Sequence, residues 1–103
     1  MNRRLIIRPE AEADLTDAVV WYDGREPGLG LELISQVYSA IARALKSTES
    51  FPRIRRSPTI RRVLTRRFPY RIFFIVRPDA IVVFAILHAA RHDRIWKHRA
   101  QHE

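Results

Sequence analysis

Apolar residues recur at helical spacing in the first part of the chain. They fall at i, i+4, i+7, i+8 and i+11, which is one face of an α-helix. The residues on this face are Ala11, Leu15, Ala18, Val19 and Tyr22. Pro9 suits the first turn of such a helix, where its missing N–H leaves no bond unmade. The pattern therefore predicts a helix that begins at Pro9 and ends near Asp23-Gly24.

A second apolar stripe follows after a short connection marked by Pro27 and Gly28. It runs along one helix face through Leu33 or Ile34, Val37, Ile41 and Leu45. This second helix is predicted to reach about Lys46 and to fray over Ser47–Ser50, before Pro52. Two amphipathic helices joined by a short loop predict an antiparallel helical hairpin.

The pattern changes to strands after Pro52. YRIFFIVR, at 70–77, alternates between two faces and is rich in aromatic and β-branched residues. AIVVFAILH, at 80–88, is apolar on both faces, which predicts a central strand. Residues 60–65 are read as a further strand, residues 53–58 as a basic loop, and LIIRP near the start of the chain as the first strand.

The predicted order is β-α-α-β-β-β, with the N-terminal strand joining a three-stranded antiparallel meander. This order predicts an α+β two-layer sandwich, in which the helical hairpin packs on a small antiparallel sheet. The residues after 88 are predicted to form a polar tail with Ile95 and Trp96 as its anchor. At 103 residues we expect a single domain over 1–103.

Charge is the most informative property of the composition. The formal net charge is +8, and 17 of the 19 basic residues are arginine. Residues 1–50 carry six basic and eight acidic side chains, whereas residues 51–103 carry thirteen and three. The second half therefore favours an anionic partner. The absence of cysteine, of a leader pattern and of a long apolar run leads us to expect a cytoplasmic protein with no membrane contact.

Motifs for catalysis or cofactor binding are absent from the sequence. It has no G-x-S-x-G element and no glycine-rich phosphate loop, and we expect no cofactor. His88/His92 and His98/His102 are spaced i, i+4, but without an H-E-x-x-H pattern or cysteine we expect no metal. Four acidic residues of the first helix are read as a solvated, dipole-compensating face; they are Glu10, Glu12, Asp14 and Asp17. Trp21 and Tyr22 are read as core and hairpin packing.

A cluster of arginines interleaved with aromatic residues spans the loop and the first strands of the second half. The arginines are Arg53, Arg55, Arg56, Arg61, Arg62, Arg66, Arg67 and Arg71, and the aromatic residues are Phe51, Phe68 and Tyr70. Such a cluster suits phosphate contact with base stacking, and it suits equally the docking of an acidic protein or a solvated charged face. From the residues alone these three interpretations stay open.

Four segments, taken in order, resemble a known family. They are PEAEADLTDAVVWYDGREPGLGLEL, FPRIRR, RRVLTRRFPYRIFFIV and VVFAILHAARHDRIWKHR. The chain resembles the ParE-like branch of the RelE/ParE toxins, which belong to bacterial type II toxin–antitoxin systems of plasmid or chromosomal stability. The resemblance implies the same β-α-α-β-β-β layout. It also implies a co-encoded antitoxin, acidic and partly disordered when free, which wraps the toxin. The complex of the two would repress its own promoter through the DNA-binding part of the antitoxin.

The resemblance implies one of two activities. ParE-like relatives block replication by binding DNA gyrase, without chemistry of their own, and this is the preferred reading. RelE-like relatives cleave mRNA on the ribosome. Under that alternative Arg71 and Arg91 fall where those nucleases hold arginines, and His88 is the candidate acid or base. The usual terminal tyrosine is missing, since its position falls at Trp96 or Lys97.

A set of residues is expected to contact the target or a nucleic acid. It comprises Arg61, Arg62, Arg66, Arg67, Arg71, Arg91 and Trp96. A plain nucleic-acid-binding module, whose affinity would fall steeply with salt, is the third hypothesis.

Overall fold

The computed structural model describes residues 3–54 and 59–101. Its elements are β1 (Arg4–Ile7), α1 (Pro9–Arg25), α2 (Leu29–Lys46), a 3-10 turn (Thr48–Ser50), β2 (Ile60–Leu64), β3 (Tyr70–Val76), β4 (Ala80–His88) and α3 (Arg94–Gln101). The predicted α+β class and the helical hairpin are confirmed. The part of the predicted basic loop at residues 55–58 lies outside the described residues.

The four strands form one sheet in the order β1-β4-β3-β2. As predicted, β4 is central, and all but its last residue are buried. The sheet is mixed, however, and not wholly antiparallel, because β1 runs parallel to β4. Because β3 is antiparallel to both β2 and β4, these two strands run in the same direction. The helical hairpin and the loop after it bring the chain back to the start of the sheet, so β1 also runs in that direction. Side-chain alternation predicts which face a residue takes and says nothing about this direction.

Each face of the sheet carries its own apolar core. On one face α1 and α2 pack against the sheet through residues such as Leu33, Val37 and Phe74. On the other face Phe73 and Phe84 pack with Trp96 of α3. The predicted polar tail is therefore wrong in part: residues 94–101 form a helix whose tryptophan is buried. One apolar pair in a charged segment does not predict a helix, which here depends on tertiary packing.

A β-bulge interrupts β4. Phe73 pairs with Ala85 and Phe74 with Val83, so Phe84 is an extra residue with no partner opposite it. Phe84 and Ala85 consequently both belong to the core on the α3 side, and the alternation after them is shifted by one residue. This shift turns His88, at the end of β4, toward the hairpin side.

Gly28 in the hairpin connection and Gly24 near the end of α1 have different roles, and their substitution by alanine is expected to have opposite effects on stability. Gly28 has a φ of 96°, which L side chains rarely adopt, so Gly28→Ala is expected to destabilise the fold by about 1 kcal/mol. Gly24 lies inside α1, and a methyl group added to it would meet no atom within 4 Å, so Gly24→Ala is expected to stabilise by about 0.5–1 kcal/mol. Urea unfolding of both variants measures this. Equal signs for the two substitutions would contradict the assignment.

Candidate functional site

A polar cavity of about 200 Å³ opens between α1 and the end of β4. It is lined by Asp14, Asp17, Ala18, Tyr70, Ile86, Leu87, His88 and Arg91. The β-bulge brings this set together, because it places His88 beside Tyr70, its cross-strand partner, on the hairpin side of the sheet. The cavity therefore combines carboxylates, an imidazole, a phenol and a guanidinium within one small volume.

Tyr70 of β3 and His88 of β4 line the side of this cavity that is formed by the sheet. Their rings meet edge to face with centroids 5.4 Å apart, and Tyr70 is 8% exposed. Burial, reinforced by neighbouring Tyr22, raises the pKa of Tyr70 to about 12. The Nδ1 atom of His88 accepts a hydrogen bond from the backbone N–H of Ala90 at 3.0 Å. This bond places the proton of the neutral imidazole on Nε2.

Arg71 lies on the other face of the sheet, beside Phe73, and its guanidinium is already bound. It donates to Oδ1 of Asp93 at 2.7 Å and to the carbonyl oxygen of Arg91 at 2.8 Å, and its side chain is only 12% exposed. The hydrogen bond from Arg71 holds the pKa of Asp93 below its usual value. The guanidinium carbon lies 5.3 Å from the centre of the Phe73 ring. The structure thus brings His88 and Arg91 to one cavity and leaves Arg71 outside it.

The other arginines named from the sequence are spread over several surroundings. Arg61 donates to the carbonyl oxygen of Phe51 at 2.6 Å, and Arg62 beside it is half-buried. Arg67 forms an ion pair with Glu32 of α2. Arg66 is exposed, and its charge adds to the effect of burial, which lowers the pKa of Arg43. The backbone of Arg53 forms an isolated antiparallel β-bridge with the backbone of Arg61. Arg55 and Arg56 lie outside the described residues.

The two tryptophans lie in different surroundings. Trp96, predicted as an anchor of the tail and also named for a target contact, is 7% exposed and stacks on Phe73 with ring centroids 5.0 Å apart, as an anchor would. Trp21, expected in the core, is 54% exposed and holds the guanidinium of Arg25 over its ring. Its neighbour Tyr22 does pack as predicted, against Phe68. Spacing identified the stripe of α1 that includes Tyr22, and Trp21 lies one residue off that stripe.

Asp14 is not part of a solvated face. Its carboxylate binds Arg99 of α3 through two bonds, of 2.6 and 3.0 Å, and accepts the backbone N–H of Ile86 at 2.9 Å. The side chains of Asp14 and Arg99 are 13% and 20% exposed, and this pairing raises the pKa of Arg99. One carboxylate thereby joins α1, β4 and α3. The sequence signal for it is weak, since 85 residues separate the two partners.

Neither a metal cluster nor a membrane-spanning helix is found in the described part of the chain. Across residues 3–54 and 59–101, no three His, Asp or Glu side chains come close enough together to hold a metal ion. None of the helices within those ranges combines the length and apolar character needed to cross a membrane.

Comparison with known proteins adds a family. The family model described as the ParE toxin of the type II toxin–antitoxin system parDE matches residues 5–93. A search of curated proteins finds no match. Among solved structures, the chain is similar to the chromosomal ParDE toxin–antitoxin system from P. aeruginosa, with a TM-score of 0.72 at 19% identity, covering 84% of this chain and 95% of that one.

Two structures of the E. coli toxin RelE are also similar. A mutant RelE in complex with a peptide of the antitoxin RelBc has a TM-score of 0.61 at 17% identity, covering 96% of this chain and 95% of that one. The isolated RelE toxin has a TM-score of 0.61 at 16% identity, covering 98% and 99%. At these identities the likeness concerns the fold.

Proposed function

Because the chain belongs to the ParE toxin family of type II toxin–antitoxin systems, as its sequence predicts, we propose that it inhibits DNA gyrase by binding, without chemistry of its own. In this proposal a cognate acidic antitoxin neutralises the toxin in the cytoplasm. The observation that carries the choice of binding over catalysis is the state of Arg71, whose charge is compensated by Asp93.

The pairing of Arg71 matters because an arginine stabilises a cleaving phosphate only when its donors are free to reach the phosphate oxygens. A guanidinium stabilises a developing phosphorane when its donors point at the oxygens that gain charge. Two donor nitrogens of Arg71 already point at Asp93 and at the Arg91 carbonyl. Freeing them would break the ion pair with Asp93. This arrangement supports a structural role for Arg71 and an activity that rests on surface binding.

The charge distribution supports the proposed antitoxin. Residues 51–103 carry thirteen basic and three acidic side chains, a net charge of +10, and exposed Arg66 of this half raises the local positive charge beside Arg43. An acidic segment laid along this region would relieve the repulsion between these cations. The antitoxin RelBc peptide bound to the similar RelE fold offers a precedent for such a partner.

A supercoiling assay with purified gyrase tests the proposal. The purified toxin is expected to stop the conversion of relaxed plasmid to the supercoiled form, and addition of the co-encoded antitoxin is expected to restore it. Heat-denatured toxin is the control for non-specific binding of a basic chain to DNA. Unchanged supercoiling at a large molar excess of folded toxin would overturn the gyrase proposal.

A second candidate function, ribosome-dependent mRNA cleavage, is favoured by one observation. His88 and Arg91, both named from the sequence for this chemistry, line the same cavity. In this function His88 would act as the general acid or base, and Arg91 would hold the phosphate. Arg71 would then act only by fixing the Arg91 backbone.

The two functions separate in one experiment on intact cells. Under the gyrase proposal, the double variant His88→Ala, Arg91→Ala is expected to remain toxic, and mapping of mRNA 5′ ends after induction is expected to show no cuts in the ribosomal A site. The matched control is Arg94→Ala, an exposed arginine of α3 away from the cavity lining. Cuts that disappear in the double variant and persist in the control would establish the nuclease instead.

A further inference from the structure

The edge of the molecule where β2, the end of α2 and the β2–β3 turn meet is poor in acidic side chains. Residues 33–78, which include all three, contain eleven basic residues and one acidic residue, Glu49. Oε2 of Glu49 lies 3.6 Å from Nη2 of Arg3. Glu32, which directly precedes this segment, forms an ion pair with Arg67. The two carboxylates nearest to this edge in sequence are therefore already engaged with other cations.

Five cations at this edge form a group that we call the β2 edge strip. They are Arg43, Lys46, Arg53, Arg62 and Arg66. Within residues 3–54 and 59–101, none of the five forms an ion pair with an acidic side chain. Lys46, Arg53 and Arg66 are exposed, and the other two are half-buried. Cations that the fold leaves without counter-charges attract an anionic partner.

Contacts between α2 and the sheet bring the first part of the strip together. Arg43 donates to the carbonyl oxygen of Leu64, at the end of β2, with a distance of 3.0 Å. Lys46 follows Arg43 by three positions, which places it on the same side of the helix. Burial lowers the pKa of Arg43, and the charge of Arg66 adds to this effect, so these two cations are near neighbours.

The rest of the strip follows β2. The backbone of Arg53 is paired with that of Arg61, which directly precedes Arg62. Arg66 lies two residues beyond the end of β2. The five positions from Arg61 to Arg66 span at most about 17 Å at the rise of an extended chain. This length corresponds to about five base pairs of duplex DNA, at about 3.4 Å each.

The turn between β2 and β3 holds Arg66 in place. Phe68 has a φ of 68°, in the left-handed region that a bulky side chain rarely adopts. Its ring packs edge to face on Tyr22 with centroids 5.0 Å apart, and the backbone N–H of Arg67 donates to Oε1 of Gln36 at 3.0 Å. A turn fixed by such contacts presents its cation with little loss of freedom on binding.

We propose that the β2 edge strip binds the phosphate backbone of double-stranded DNA, independently of base sequence. A protein segment would need apolar anchors for affinity. Among the described residues of 33–78, the exposed large apolar side chains are Tyr38 and Leu64, and Tyr38 lies about 140° around α2 from Arg43. A phosphate backbone needs only the charges.

The choice of DNA among nucleic acids rests on the proposed function, because gyrase acts on DNA. A toxin that touches this DNA as well as the enzyme would be held at its target by two contacts. The acidic antitoxin proposed above would compete with the duplex for the same cations.

Fluorescence anisotropy of a labelled duplex of mixed sequence tests the proposal with the full chain alone. Gyrase and antitoxin are absent, so a failure here leaves the gyrase proposal standing. Five phosphate contacts predict a slope of about −4.5 for the logarithm of the binding constant against the logarithm of the salt concentration. This slope is a fall of about 500-fold in affinity between about 50 and 200 mM salt.

A pair of charge-matched double variants locates the contact. Lys46→Gln with Arg66→Gln removes two exposed cations of the strip and is expected to weaken binding at least about tenfold and to reduce the slope to about −2.7. The control, Arg94→Gln with Lys97→Gln, removes the same charge from two exposed positions of α3 and is expected to weaken binding less than about threefold. Far-UV circular dichroism checks that both variants are folded.

Equal weakening by the two double variants would overturn the proposal, because attraction by the net charge of +8 would then suffice. A slope shallower than about −2 would also overturn it. A preference of about tenfold or more for an RNA duplex of the same sequence would contradict the assignment to DNA. Binding of a polyglutamate peptide that is tighter than that of the duplex, and that depends on Lys46 and Arg66, would assign the strip to an acidic protein instead.

Discussion

Replacing Trp96 with alanine is expected to destabilise the fold by about 4 kcal/mol. The indole is 7% exposed and stacks on Phe73 at an interplanar angle of 17°, and Trp96 is the buried residue through which α3 joins the core on this face. Its removal leaves a cavity over Phe73 and Phe84 that the eight-residue α3 is too short to close on its own. Urea denaturation monitored by circular dichroism measures the free energy of unfolding.

The other tryptophan of the chain is the matched control. Trp21 is 54% exposed and contacts Arg25 and Tyr22 without entering the core. Trp21→Ala is therefore expected to change the free energy of unfolding by at most about 1 kcal/mol. If Trp96→Ala also changed the free energy of unfolding by no more than about 1 kcal/mol, α3 would not be anchored as described, and residues 94–101 would be a dispensable tail after all.

Replacing Asp14 with alanine is expected to destabilise the fold by about 3 kcal/mol. The substitution leaves the guanidinium of Arg99, which is 20% exposed, without its anion, and it leaves the N–H of Ile86 without its acceptor. An unpaired polar group in this position costs more than the bond contributed when made. Thermal or urea unfolding measures the change.

Asp17 provides the comparison for Asp14 on the same helix. It lines the same cavity and is exposed. Asp17→Ala is expected to change stability by less than about 0.5 kcal/mol. A double-mutant cycle of Asp14→Ala and Arg99→Ala should give a coupling energy of about 1–3 kcal/mol. Strictly additive effects would show that the pair is not a stabilising contact.

Much of the fold could be predicted because local patterns and burial agree. The strand at 80–88 is apolar on both faces, which only a central position satisfies, and its predicted bounds match those of β4. The stripe of α2 was predicted by spacing, and Leu33, Val37 and Ile41 are buried. These features depend on residues within one element, where periodicity is a direct consequence of geometry.

The features that could not be predicted depend on partners far apart in the chain. The parallel direction of β1 follows from the path of the whole chain. The helical state of residues 94–101 follows from Phe73 and Asp14, which lie elsewhere in the sequence. The face of His88 follows from the β-bulge, because strict alternation from Val82 would place it on the α3 side. Naming His88 and Arg91 from the family resemblance was possible, but the role of Asp93 in binding Arg71 was not.

The bulge at Phe84 also has a consequence for how positions are matched between relatives. A sister sequence with a regular strand would lack one residue here, yet its strand end would present the same side chains to the same layers. Its counterpart of His88 would then stand six residues, and not seven, after the counterpart of Ile81. An alignment without a gap inside the strand would pair His88 with a residue of the relative that lies one position away and on the opposite face of the sheet. Residues that follow the bulge, such as His88, should therefore be matched by their distance from the C-terminal end of the strand.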